Sequence, residues 1–465
     1  MNDLDCAGLL PAGGIDGDRP AFFAASGELV LRHADLRREV AGWAERLSQD
    51  RPILVFLFCR SEPVTVCALL GAIAAGHSVA LLDPGAPLET TRRLIERYDP
   101  EVLIAPPAEL SDAGDIVWRR VEAAPLSDDA RAVVLLSTSG TTGSPKFVRL
   151  SAAGLAANAH QIAAALQIGA QDVALAHLPI HYSYGLSVVT SHLQAGAAIH
   201  LWSESVMAPE FWAAAGQVGG THMPGVPFHY SFLARADLAT LAPSTLRTFT
   251  QAGGPLDPRL QTRLHAMIDR LGGRFYVMYG QTEAGPRMTT LPHARLPEKL
   301  GSVGPALAGG RLTILDEAGG RQPSGGVGAV VYEGPNVMLG YAEGRADLSR
   351  GDEARGRLET GDIGYLDADG YLFLTGRSKR IAKLYGLRIS LAEVEALFGA
   401  SDVAALEGRD KIVLFTTDPD RVAAETAAAA EAFKIPATSF SVRSVAELPR
   451  LASGKTDYGA LKETI

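Results

Sequence analysis

The chain holds 465 residues, 47 % hydrophobic and 20 % charged, a composition that at roughly 100–200 residues per domain allows about two to four domains with sizeable cores. Lys and Arg number 43 against 52 Asp and Glu, a formal net charge of -9, which argues against general affinity for nucleic-acid phosphates, because that rests on clustered cations. The longest apolar stretches, such as 66–76, are about half of the ~20 residues a membrane-spanning helix needs, so no span is predicted.

The first residues, MNDLDCAGLLPAGGIDGD, are acidic and lack a basic start and an apolar core, so they do not read as a secretory signal, and a cytoplasmic location is expected. Cys6, Cys59 and Cys67 have no metal-ligand spacing, and the last two fall in apolar segments as buried thiols. PILVFLFC at 52–59, a helical stretch at 62–75 and SVALL at 78–82 read as strand, helix and strand, the pattern of parallel sheets covered on both faces. The rhythm repeats with AVVLL at 132–136, a helix at 153–166 and DVALAHL at 172–178. After Gly301 the pieces RLTIL, GAVVYEG and GYLFLTG, separated by Asp-Gly and Gly-Gly turns, predict hairpins and a β-rich subdomain. A basic cluster, Arg377, Lys379, Arg380, Lys383 and Arg388, opens the last part of the chain. The expectation is an α/β protein: a large N-terminal domain (1–378) of parallel α/β sheets plus the β-rich subdomain, then a small mobile α+β C-terminal domain (379–465).

STSGTTGSPK at 137–146 follows a predicted buried strand and combines glycines, hydroxyl residues and a terminal lysine. Glycines permit unusual dihedrals and close backbone approach, so such a loop can offer N–H groups, hydroxyls and a cation to a polyphosphate. Pro145 and Phe147 flank Lys146, which is not the Walker A pattern, and on composition alone a polar surface turn competes.

The loop resembles the signature of the adenylate-forming superfamily, which includes acyl-CoA synthetases, adenylation domains of nonribosomal peptide synthetases, and luciferases. Further motifs follow in the family's order: QAGGPL at 251–256, YGQTEA at 279–284, ETGDIGYLDADGYLFLTGRSKR at 359–380, KLYGLRISLAEVE at 383–395 and LPRLASGK at 448–455. The resemblance implies ATP-dependent activation of a carboxylate to an acyl adenylate with Mg²⁺, followed by thioester formation. It further implies that Thr138, Ser139, Gly140, Thr141, Thr142, Gly143 and Thr282 hold phosphates with Lys146, and that Glu283 is the Mg²⁺ ligand. Tyr279 would stack on adenine beside Gly253, Gly254 and Pro255, with Gly280 and Gln281 in the same motif. Asp362 would accept the ribose hydroxyls from a Gly-Asp turn, supported by Arg377. Lys455 would bridge the carboxylate and the α-phosphate, Lys379 would be the hinge, and Gly386 would clear the path of the thiol.

LPIHYSYGL at 178–186 resembles the acyl-site motif, with His181 and Tyr182 near the carboxylate, and HMPGVPFHY at 222–230 resembles a pocket-lining segment in which Gly225 and Val226, with Ala252, shape the cavity. No acidic residue occurs from 173 to 203 to pair an α-ammonium, which points to an uncharged aliphatic or aromatic acid. The thiol acceptor is CoA or, alternatively, the phosphopantetheine of a carrier protein; Gly386 and Lys455 are 69 positions apart, a short span for this family. A catalytically inactive nucleotide-binding regulator and a simple ATPase are the competing readings from other classes. No nucleic-acid partner is expected.

Overall fold

A computed structural model describes residues 8–11, 16–110, 115–119, 126, 132–137, 146–377, 380–384, 387–398, 403–433, 435–450 and 456–465. Two large sheets carry the α/β part. A seven-stranded sheet runs, in spatial order, Gly340–Ala342, Phe147–Ser151, Ala132–Ser137, Ser78–Leu82, Leu54–Phe58, Val102–Ile104 and Ile116–Trp118. Its four central strands are mutually parallel and its outer pairs antiparallel. An eight-stranded sheet contains the parallel neighbours Ala198–Leu201, Val173–Ala176, His222–Gly225, Thr248–Gln251 and Arg274–Tyr279.

Successive strand residues point to opposite faces, and each sheet therefore feeds two cores. Val55, Leu57, Val79 and Leu81 join Ala174, Ala176, Tyr276 and Met278 in one cluster between the sheets. Leu54, Phe56, Phe58 and Leu82 enter a second core with Tyr98, and Leu175, Met223, Phe249 and Phe275 enter a third. Helices Ala152–Leu166 and Ser183–Gln194 lie in the shared middle layer, which is why the second of them is buried almost all round. Helix Pro63–Ala74 begins with proline, whose missing N–H costs nothing at a helix start. It packs on helix His33–Leu47 at Gly71, where a Cβ would come 2.4 Å from that of Trp43.

The rhythm around 132–178 departs from the expected strand-helix-strand unit. An extra strand, Phe147–Ser151, pairs antiparallel with Ala132–Ser137, and Val173–Ala176 belongs to the other sheet. Arg149 hides this strand in the sequence: it looks solvent-facing, yet it is fully buried and ion-paired to Glu353 at 2.5 Å. The β-rich subdomain is a four-stranded antiparallel sheet of Arg311–Leu315, Gly328–Glu333, Arg357–Leu366 and Leu372–Arg377. Beyond it the strands Ile381–Leu384 and Leu387–Ser390 form one sheet, and Val403–Gly408, Lys411–Thr416 and Phe440–Ser444 another. Two further core clusters draw only on residues from Ala382 onward. The hinge position Lys379 lies outside the described residues.

Candidate active site

Three parallel strands end side by side at one edge of the eight-stranded sheet. Gly225 is in register with Gln251, and Gln251 with Val277, so the segments that follow, Val226, Ala252–Pro255 and Tyr279–Glu283, emerge together. The carboxyl ends of parallel strands are where open α/β sheets place their ligand crevices. Gly280 is obligatory, because a Cβ there would lie 1.6 Å from the Pro286 carbonyl oxygen. Gly253 has φ +89°, and a Cβ on it would meet the Tyr182 hydroxyl at 2.7 Å and Val226 at 3.1 Å.

Asp362 is the hub of this edge. It sits within the strand Arg357–Leu366, at an irregularity in its pairing with Gly328–Glu333 that follows Gly361 at φ +70°, and so in a strand rather than the expected Gly-Asp turn. Only 4 % exposed, its carboxylate accepts from the Tyr279 hydroxyl at 2.5 Å, Gln281 Nε2 at 2.7 Å and Arg377 Nε at 2.6 Å. Gln281 Nε2 also reaches the Thr360 carbonyl at 2.8 Å. Burial and the Asp362 charge push the Tyr279 phenol well above its ordinary pKa, keeping it a donor. Burial lowers the Arg377 pKa and the Asp362 charge raises it, with a net rise.

Glu283 opens a second cluster. Its Oε1 accepts from the Tyr341 hydroxyl at 2.8 Å, and Met338 N–H donates to its backbone carbonyl at 2.9 Å. Burial and the Glu283 charge both raise the Tyr341 phenol pKa. Lys146 Nζ stands 3.5 Å from the Tyr341 ring centroid, a cation–π contact set up by the pairing of Gly340–Ala342 with Phe147–Ser151. Thr282 Oγ1 lies 3.0 Å from Ser183 Oγ, tying this turn to the helix that follows Tyr182.

At the expected acyl site, His181 Nε2 is 3.8 Å from Asp83 Oδ2 and its Nδ1 is buried without a partner among the described residues. Burial lowers its pKa, with Asp83 opposing. Tyr182 is pushed up to about 12 by burial and by Tyr184. Gly225 turns its would-be Cβ onto the Tyr230 ring, 2.8 Å away, so its part is to seat that ring. Val226 and Ala252 are both buried.

A sequence profile described as AMP-binding enzyme matches residues 16–342. The chain belongs to the AMP-binding enzyme family. Oxalate–CoA ligase from Arabidopsis thaliana is 30 % identical over 493 residues, covering 94 % of this chain and 94 % of the relative. 4-Coumarate–CoA ligase 2 from Oryza sativa subsp. japonica is 31 % identical over 298 residues, covering 60 % of this chain and 51 % of the relative. ATP-bound MatB from Rhodopseudomonas palustris shares the fold, with a TM-score of 0.80 over 100 % of this chain and 99 % of that one at 23 % identity.

In this AMP-binding enzyme the structure brings together Tyr279, Gln281, Asp362 and Arg377 at one point, Lys146 and Glu283 around Tyr341 at a second, and Tyr182, Val226 and Gly253 at a third. Thr138, Ser139, Gly140, Thr141, Thr142, Gly143, Lys379, Gly386 and Lys455 lie outside the described residues. Sequence reasoning missed Tyr341 and Asp83, which stand in no motif, and Ser183, which lies inside LPIHYSYGL without a role of its own there; all three gain a place only through the fold. Among the described residues no helix is long and apolar enough to cross a membrane, and no group of three His, Cys, Asp or Glu side chains could hold a metal.

Proposed function

We infer that this chain is an ATP-dependent, AMP-forming acid:CoA ligase. The observation that carries the reading is the convergence on Asp362 of Tyr279, Gln281 and Arg377, three motif residues drawn from two distant stretches of sequence. In the first step a carboxylate oxygen bonds to the α-phosphorus of ATP, and the bond from that phosphorus to the bridging oxygen breaks, releasing pyrophosphate. In the second step a thiol sulfur bonds to the acyl carbon, AMP leaves with the electron pair, and the thiol proton passes to solvent.

The first step brings one anion to another, so cations and oriented donors must offset the repulsion. Lys146, the hydroxyls of Thr138, Ser139, Thr141, Thr142 and Thr282, and Lys455 take that part. Mg²⁺ fits at Glu283: Tyr341 occupies only Oε1, leaving Oε2 without a partner among the described residues, and Mg²⁺ is held by one or two carboxylates plus phosphate oxygens. When bound, the ion would neutralise phosphate charge.

Asp362 holds the ribose hydroxyls. Its two oxygens offer about four acceptor sites, and Tyr279, Gln281 and Arg377 use three, so a bidentate ribose must displace one donor. Tyr279 is that donor, because its ring is then released to face adenine beside Gly253, Gly254 and Pro255. His181 and Tyr182 close the acid site, Lys379 serves as the hinge of the 379–465 domain, and Gly386 clears the thiol path. CoA is the acceptor in this reading; loading of a carrier protein is its alternative.

The test is pyrophosphate release with ATP and Mg²⁺ across a panel of acids, with and without CoA. Acid-dependent release, with acyl-CoA formed when CoA is present, supports the ligase. Acyl adenylate that CoA never consumes shifts the acceptor to a carrier protein, and ADP with phosphate in place of AMP with pyrophosphate overturns the reading.

A further inference from the structure

Arg287 is 3 % exposed, and its guanidinium meets no carboxylate among the described residues. Among the described residues its Nη1 reaches only the Met278 thioether, at 3.5 Å, and its Nε is buried without a partner, while its Cζ lies 4.8 Å from the Tyr184 ring centroid. The contrast with other buried arginines is direct. Arg149 pairs with Glu353, and Arg345 with Glu101, each at 2.5 Å. A buried cation without a countercharge is strongly disfavoured, because water is lost and nothing replaces it.

The neighbours do not neutralise it. His192 and His222, 3 % and 2 % exposed, lie edge to face at 4.9 Å between ring centroids, and each leaves Nε2 buried and unpartnered among the described residues. Burial keeps both neutral, and the Arg287 charge contributes in the same direction. His192 Nδ1 is committed to the Val188 carbonyl at 2.8 Å and His222 Nδ1 to Thr221 Oγ1 at 2.9 Å. The Arg287 backbone is fixed as well, its carbonyl accepting from Asn158 Nδ2 at 2.8 Å and Asn336 Nδ2 at 3.1 Å.

The place of this cation is the acyl side of the site. Met278 immediately precedes Tyr279, and Tyr184 follows Tyr182 in the helix start, with ring centroids 6.3 Å apart. Tyr182 in turn abuts Gly253. We propose that Arg287 receives a second anionic group on the acid, so that the substrate class is short dianionic acids, dicarboxylic or sulfocarboxylic, activated at one end and paired to Arg287 at the other. The proposal rests on the acid-activation reading above. It departs from the uncharged acyl group expected from the acyl segments, which do not include Arg287. A guanidinium fork matches a carboxylate or sulfonate in two hydrogen bonds, and the Tyr184 ring beneath it, 4.8 Å from Cζ, attracts the cation. An acid lacking the second charge leaves Arg287 unpaired, which is the arrangement that rejects analogues most strongly.

The experiment compares malonate, succinate, glutarate and sulfoacetate with propionate, butyrate and valerate in the wild type, Arg287→Met and Arg287→Lys. The readouts are kcat/KM for pyrophosphate release and the melting temperature with each acid in the presence of AMP. The wild type should favour at least one dianionic acid over its length-matched monoacid by about 100-fold, Arg287→Met should bring that ratio to about one or reverse it, and Arg287→Lys should fall between. Arg287→Met should melt no lower than the wild type, since it removes an unpaired buried charge. Monoacids outrunning every dianionic acid in the wild type would overturn the proposal, as would an equal loss on both classes in Arg287→Met. If no acid releases pyrophosphate, the ligase reading fails by itself, and binding decides the proposal: a dianionic acid that raises the melting temperature of the wild type but not of Arg287→Met supports it, and no such difference overturns it.

Discussion

Tyr279 and Asp362 stand 83 positions apart in the chain, and the hydroxyl of the first donates to Oδ2 of the second at 2.5 Å. In the proposed reading of the site, this bond occupies an acceptor position that a ribose hydroxyl would need. Tyr279→Phe keeps the ring and removes the competing donor. ATP should therefore bind about five-fold tighter, the worth of roughly 1 kcal/mol for one hydrogen bond, whereas Tyr279→Ala should weaken binding. Titration calorimetry with ATP decides it, and weaker binding by Tyr279→Phe would show that the hydroxyl supports Asp362 in the bound state.

Tyr341 holds Glu283 by a hydrogen bond and carries Lys146 on its ring, so one side chain aligns the proposed Mg²⁺ ligand and the proposed phosphate-binding cation. Removing a partner that orients a metal ligand typically costs about 10–100-fold in metal affinity. Tyr341→Phe should raise the Mg²⁺ concentration needed for half-maximal pyrophosphate exchange by about ten-fold. The phenylalanine ring still receives Lys146, so the KM for ATP at saturating Mg²⁺ should move little.

Gly253→Ala combines a left-handed backbone with a Cβ 2.7 Å from the Tyr182 hydroxyl. The backbone strain alone costs about 1–3 kcal/mol. The variant should unfold at lower denaturant and show a raised KM for the acid, because Tyr182 must move. An unchanged KM in a folded variant would remove Tyr182 from the acyl site.

Acid should destabilise the protein through its buried histidines. Burial holds the His192 pKa at about 4, against opposing contributions from the Val188 carbonyl and Asp172, and His222 lies well below its ordinary value for the same first reason. The unfolded chain takes up these protons near pH 6.5 and the folded chain does not. Stability is therefore full above about pH 6.5 and falls as pH drops toward 4, by about 1.4 kcal/mol per pH unit for each such histidine. Urea unfolding at pH 7.5 and pH 5 should differ by about 2 kcal/mol less in His192→Gln than in the wild type.

Much of the fold was legible because apolar runs such as LVFLF at Leu54–Phe58 are determined by burial on both faces, and the Asp-Gly turns after Gly301 dictate antiparallel pairs. The strand Phe147–Ser151 was not, since a buried Arg149 is permitted by Glu353 and the carbonyls of Leu339, Arg350 and Gly351, all some two hundred positions away. The motif residues Tyr279, Glu283 and Asp362 were legible for a related reason: their chemistry and local spacing are written in short stretches of chain.

By itself, the sequence determined the alternation of strands and helices and the residue types needed to hold a nucleotide and activate an acid. Only the tertiary structure decided which side chains complete them: Tyr341 on Glu283, Ser183 on Thr282, and the absence of a carboxylate at Arg287 among the described residues. Those pairings depend on sheet register and layer packing, which bring together groups many tens of positions apart, whereas a motif records only what neighbouring residues do for one another.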